Sequence, residues 1–143
     1  MPQSNALNTS KGREFQLLAA RCLSDHLHTK FITEHAISIG SPPKPHHFDL
    51  ASIDNKYIGE CKNFSWTEGN NIPSAKMTTI NEAVFYLQHV PSDKIRFVIL
   101  RRDINNKRRE SIAEYYYRIN KHLLSGIKIL ELNPDDESIK ELI

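Results

Sequence analysis

The sequence predicts an α/β fold, and three observations carry that expectation. Segments with apolar residues at helical spacing are interleaved with short segments that alternate or run apolar, in the order α-β-β-β-α-β-α-β-α. Helix-breaking residues stand at the borders of these segments, at Gly40, "SPPKP", Pro73 and Pro91. The chain has 143 residues, of which 39% are hydrophobic and 25% charged. That is the size and make-up of a single domain, 1–143, with a substantial core.

Residues 1–9 are polar and read as a flexible arm. Ser10 can cap a helix starting near Lys11, in which Phe15, Leu18, Ala19, Cys22, Leu23 and Leu27 recur at helical spacing. Phe31–Ile39 alternates as a strand and ends at Gly40. Strands over about 46–53 and 56–63 follow, joined at Asp54-Asn55, both tolerant of positive φ. Pro73 suits the first turn of a helix whose apolar face is Met77, Ile80, Val84 and Leu87. "KIRFVIL" reads as a buried strand and "RRDINNKRRE" as a basic loop. A helix with Ile112, Tyr116, Ile119 and Leu123 on its inner face comes next, then the strand "IKILEL" and a short closing helix over 135–142.

A net charge of +2 means that any nucleic-acid binding must come from a local patch. The two cysteines, Cys22 and Cys61, are too few for a disulfide framework and read as buried thiols. No apolar run reaches transmembrane length and the start lacks a signal-peptide pattern, so a cytoplasmic protein without a membrane partner is expected.

The stretch "HHFDLASIDNKYIGECKNF" holds two acids and a base in what reads as a half-buried hairpin. With the turn at Asp54-Asn55, Ala51 faces Ile58 and Asp49 faces Glu60, about 5 Å apart at Cβ. Lys62 shares their face. Opposed carboxylates repel and need a compensating charge. Lys62 could be that charge, as a structural counter-ion on a solvated face. A hard divalent cation is the alternative, because Mg²⁺ or Mn²⁺ can be held by one or two carboxylates and otherwise keeps water. Asp49 and Glu60 would supply the carboxylates and the Cys61 carbonyl a third oxygen. Lys62 would then act on a metal-activated water attacking a phosphodiester. The triplet alone carries little, since Asp54-Asn55-Lys56 repeats it in the turn.

Asp49…Glu60-Cys61-Lys62 on a hairpin, behind an N-terminal helix and strand, resembles the PD-(D/E)xK nuclease superfamily, which includes restriction endonucleases and Holliday-junction resolvases. The resemblance implies a restriction-endonuclease-like core α-β-β-β-α-β, a mixed central sheet flanked by helices, here with a C-terminal α-β-α extension. It implies Asp49 and Glu60 as metal ligands, Lys62 as the catalytic lysine, Mg²⁺ or Mn²⁺ as cofactor, and DNA more than RNA as substrate. Many members add an acid from the first helix, and Glu14 in "KGREF" stands at that place. Phe48 precedes Asp49 where the family motif has proline.

Supporting candidates are weighed against plainer roles. Lys76 opens a helix, where phosphate is favoured, or is simply solvated. His47 alternates onto the face of Asp49, or is a neutral edge histidine. Trp66 could stack on a base, or pack its loop. Arg101, Arg102, Lys107, Arg108 and Arg109 could grip phosphates, or form a solvated loop. A homodimer would bring two sites to two strands. The alternatives to an enzyme with this fold are a non-catalytic nucleic-acid-binding or assembly module and a nuclease toxin domain.

Overall fold

The computed structural model describes residues 5–69, 71–105 and 107–143. In chain order the elements are helix α1 (Asn5–Leu27), strands β1 (Phe31–Ile39), β2 (Lys44–Ser52) and β3 (Tyr57–Lys62), helix α2 (Ser74–Leu87), strands β4 (Ile95–Arg101), β5 (Ile104–Asn105) and β6 (Glu110–Ser111), helix α3 (Ile112–Asn120), and strands β7 (Lys128–Leu132) and β8 (Ile139–Glu141). The fold is α/β, built on a mixed six-stranded sheet in the order β1-β2-β3-β4-β7-β8. β1, β2 and β3 run antiparallel in succession, β3, β4 and β7 are parallel, and β8 returns antiparallel to β7.

Helices cover both faces. On one, Phe15, Ala19, Cys22 and Leu23 of α1 pack on Leu50, Phe97, Ile99 and Leu132. On the other, Ile80, Val84 and Leu87 of α2 and Ile112 and Tyr116 of α3 pack on Phe48, Ile58, Val98, Leu100 and Ile129. β4 feeds both clusters, which is why its sequence is a continuous apolar run. Buried Arg96 fixes the end of α2: its guanidinium donates to the carbonyls of Leu87 (3.3 Å), Val90 (3.4 Å) and Ser125 (3.0 Å). The buried charge is thus met by backbone carbonyls at the end of α2 and in the segments beyond it rather than by an ion pair among the described residues. α3 starts with a capping box, in which Ser111 accepts from the Glu114 N–H and the Glu114 carboxylate accepts from the Ser111 N–H.

The expected turn forms: Asn55 has φ 60°, and Asp54 Oδ1 accepts from Ser52 Oγ (2.6 Å) and the Lys56 N–H (3.0 Å). Three expectations are corrected. α1 begins at Asn5, inside the stretch read as an arm, so Ser10 lies within the helix; residues 1–4 lie outside the described residues. The basic loop contains the small β5–β6 hairpin. The closing helix over 135–142 does not form, and β8 occupies its place. There Asn133 Oδ1 accepts from the Asp135 N–H and Asp136 Oδ1 accepts from the N–H and hydroxyl of Ser138. Short polar side chains that bond nearby backbone favour turns over helix. Leu132↔Ile139 then pairs the returning strand with β7.

Gly59 is sterically required. It pairs with Phe97 across the parallel β3–β4 ladder, and a Cβ at Gly59 would fall 2.3 Å from the Phe97 ring. Replacing a strand glycine by alanine ordinarily stabilises by reducing unfolded-state entropy. Here overpacking reverses the sign, and Gly59→Ala should cost about 1–3 kcal/mol in urea unfolding. A Gly59→Ala protein as stable as wild type would show that the ring does not hold this position.

Candidate functional site

β2 and β3 pair only at Leu50↔Gly59 and Ala51↔Ile58. Beyond Gly59, β3 continues against β4 as far as Lys62↔Leu100 while β2 diverges, so the hairpin opens into a fork. Two acidic side chains bridge it. The Asp49 carboxylate accepts the Cys61 N–H at 2.8 Å through Oδ2, and the Glu60 carboxyl accepts the Asp49 N–H at 3.3 Å through Oε2. Each acid takes a backbone donor that the lost ladder would have left unpartnered. The Asp49 carboxyl also acts on Glu60 electrostatically.

β1 and β2 change phase together at this point. Phe48 and Leu50 would share a face in a regular strand, yet Phe48 packs on the α2 side and Leu50 on the α1 side. Opposite, Ile32 and Ile37 both pack on the α2 side despite their odd separation. The ladder skips Glu34, which has φ 55°, between Thr33↔Leu50 and His35↔Phe48. The kink opens Asp49 toward α1. There Gln16 Nε2 donates to Asp49 Oδ1 (3.3 Å) and to its carbonyl (3.4 Å), and Asp49 lines a cleft of about 270 Å³ with Arg13, Gln16, Glu34 and Cys61.

Glu60 is 8% exposed. Burial, and then the neighbouring Asp49 carboxyl, push its pKa up to about 9, against a smaller lowering influence of Lys62. His46 Nε2 lies 3.4 Å from Glu60 Oε1, and its ring stacks on Tyr86 at 4.1 Å. Half-buried Lys62 forms no ion pair with either acid among the described residues; its ammonium sits 6.0 Å from the Phe64 ring centre. Lys76 reaches the same ring from the start of α2, at 5.6 Å.

The fork therefore brings together Asp49, Glu60, Cys61 and Lys62, and Lys62 and Lys76 both approach the Phe64 ring. Glu14 is not among them. It is exposed and lines a separate cleft with Lys11, Asn63 and Arg101, and the α1 residue at Asp49 is Gln16. His47 is exposed and pairs with Ala36; His46 is the histidine at Glu60. Gln16 left a trace in the sequence, as a polar residue one turn before Ala19 and Ala20 on the apolar stripe. His46 left none, because the phase break reverses which histidine turns inward.

The basic cluster divides. Arg101 donates to Asn63 Oδ1 (2.6 Å) and Arg102 to the buried Glu131 (2.6 Å), so both serve the fold. Lys107, Arg108 and Arg109 are exposed on the β5–β6 hairpin. The Arg108 guanidinium lies 5.2 Å from the Trp66 ring centre and 5.9 Å from that of Tyr115. Trp66 also donates its backbone N–H to Asp103 (2.9 Å) and meets Tyr115 edge-on, so it packs its loop.

The donor set at the fork fits a hard cation. Three of the four carboxyl oxygens accept a hydrogen bond from the chain, and His46 Nε2 lies 3.4 Å from the fourth, Glu60 Oε1. The proton that Glu60 retains is one that a divalent ion would displace. No group of three His, Cys, Asp or Glu side chains is disposed to hold an ion among the described residues, so a cation here would keep several waters, as Mg²⁺ does. No helix among the described residues is long and apolar enough to cross a membrane. The chain matches no model of a known protein family and no curated protein.

Glu60 titrates near the ordinary carboxylate value in the unfolded chain and near 9 in the folded one. Its stabilising contribution is complete below the ordinary value and lost as pH rises toward 9. Wild type should therefore lose thermal stability across that window. Glu60→Gln, uncharged and still able to hydrogen-bond Asp49, should flatten the decline and melt higher than wild type on the alkaline side. Parallel Tm-against-pH curves for the two proteins would refute the raised pKa of Glu60.

Proposed function

We propose that this protein is a metal-dependent nuclease that hydrolyses phosphodiester bonds, with DNA favoured over RNA. The observation that carries this reading is the pair of acids, Asp49 and Glu60, that bridge the fork, with a half-buried Lys62 at the end of the same strand that forms no ion pair with either of them. A counter-ion placed to neutralise the acids would touch one of them, and Lys62 does not. The resemblance of Asp49…Glu60-Cys61-Lys62 to the PD-(D/E)xK nucleases supports the same conclusion.

Asp49 and Glu60 would hold Mg²⁺ or Mn²⁺, with the Cys61 carbonyl as a further oxygen. A cation bound there would supply Lewis-acid stabilisation of the charge that builds on the phosphate. The remaining work falls to the chain. Gln16 and the Cys61 N–H hold the Asp49 carboxylate, and the Asp49 N–H holds Glu60, so the acids are oriented before substrate arrives. The Lys62 ammonium can hold the attacking water or a phosphate oxygen, and Lys76 adds positive charge beside it. The exposed Lys107, Arg108 and Arg109 offer phosphate contacts away from the fork.

The bridging hydrogen bonds favour one other reading, in which the acids only close the fork and the domain binds nucleic acid without cutting it. Lys62→Ala separates the two. The nuclease should lose cleavage of single-stranded, duplex and branched DNA in Mg²⁺ or Mn²⁺ by about a hundredfold or more, while keeping its Tm and its DNA affinity. Millimolar Mg²⁺ should raise the Tm of both wild type and Lys62→Ala, but not of Asp49→Asn. Wild type that cuts no nucleic acid with metal present would leave the binding module as the function.

Under either reading, replacing Lys107, Arg108 and Arg109 together with Ala should weaken DNA binding and reduce the slope of log K against log salt by up to about three. An unchanged slope in fluorescence anisotropy titrations would mean that the hairpin meets no phosphate.

A further inference from the structure

A second concave site adjoins the fork. A cleft of about 410 Å³ is lined by Ile39, Lys44, His46, Phe85, Tyr86 and His89, among others. Its wall at His46 is shared with the fork: the imidazole that stacks on Tyr86 at 4.1 Å also places Nε2 3.4 Å from Glu60 Oε1. His46 thus touches both the cleft and Glu60.

Core packing does not account for Phe85. The core face of α2 is Ile80, Ala83, Val84 and Leu87. Phe85 lies off that face and is 58% exposed. Its ring meets Tyr86 at 5.9 Å and His89, one helical turn on, at 5.1 Å. Four aromatic or imidazole rings thus crowd one small cleft, and the open one stands in solvent. Lys44 and two histidines line the cleft, and among the described residues no carboxylate lines it. Flat rings beside a cation suit a flat aromatic ligand that carries negative charge.

We infer that this cleft binds an unpaired nucleobase, with Lys44 on its phosphate, in the nucleotide next to the one at the fork. The inference rests on the nuclease reading and narrows its substrate. A base inside a continuous duplex keeps both faces stacked and cannot enter, so the preferred substrate is a single strand or carries unpaired nucleotides at the cut. Phe85 is the stacking platform and Lys44 the phosphate contact.

The test is binding in Ca²⁺, with a labelled single-stranded DNA oligonucleotide and the same sequence as a duplex. Wild type should bind the single strand more tightly. Phe85→Ala should lose about tenfold on the single strand, the usual effect of removing one stacking ring, and little on the duplex; Phe85→Trp should retain wild-type affinity. Lys44→Ala, on an exposed strand end, should lower the salt slope for the single strand by about one. A fluorescent purine analogue in the strand should be quenched by wild type and not by Phe85→Ala. Single-strand affinity and quenching unchanged in Phe85→Ala would overturn the inference while leaving the nuclease reading intact, provided that wild type cuts DNA. Wild type that neither binds nor cuts any of these probes would remove both.

Discussion

Two hydrogen bonds, from the Cys61 N–H to the Asp49 carboxylate and from the Asp49 N–H to the Glu60 carboxyl, close the gap where β3 leaves β2 for β4. A strand that exchanges an antiparallel neighbour for a parallel one must open a fork, and the backbone groups inside the fork lose their ladder partners. Unpartnered buried donors are costly. Here each strand lends the other a carboxyl, so the two acids form part of the sheet before any ligand is considered.

That solution has an electrostatic consequence. Carboxyls placed to reach across the fork also face each other, and Glu60 is buried. Burial and then the Asp49 carboxyl raise the pKa of Glu60, and the opposing influence of Lys62 is smaller. The same geometry that completes the sheet therefore orients the oxygens that the proposed nuclease would use to hold a divalent cation. Structural and catalytic roles for Asp49 and Glu60 do not compete. The first orients the oxygens that the second would use.

Helix α2 ties the fork to its surroundings. Its inner face packs on the sheet, Lys76 stands at its start, and Phe85, Tyr86 and His89 stand near its end. Arg96 holds that end by capping the Leu87 and Val90 carbonyls. Tyr86 in turn holds His46, and His46 meets Glu60. The aromatic cleft and the histidine beside Glu60 thus both lean on this helix.

Local chemistry was legible in the chain. The α/β alternation, the Asp54-Asn55 turn and the facing of Ala51 and Ile58 follow from periodicity and turn residues, which act over a few positions. The meeting of Asp49 with Glu60 followed from that register. The helix expected over 135–142 failed because Asn133 and Asp136 bond backbone groups nearby, a choice that periodicity does not weigh. What only the tertiary structure decided lies where two strands act on each other. The paired phase break at Glu34 and Asp49 turned His46 rather than His47 toward Glu60. The approach of α1 put Gln16 rather than Glu14 on Asp49. A single strand's period of two contains no record of a kink that its neighbour shares, and a helix's own pattern does not say how deeply it seats. The sequence by itself determined which residues could do the chemistry, and the packing of β1, β2 and α1 decided which of them meet.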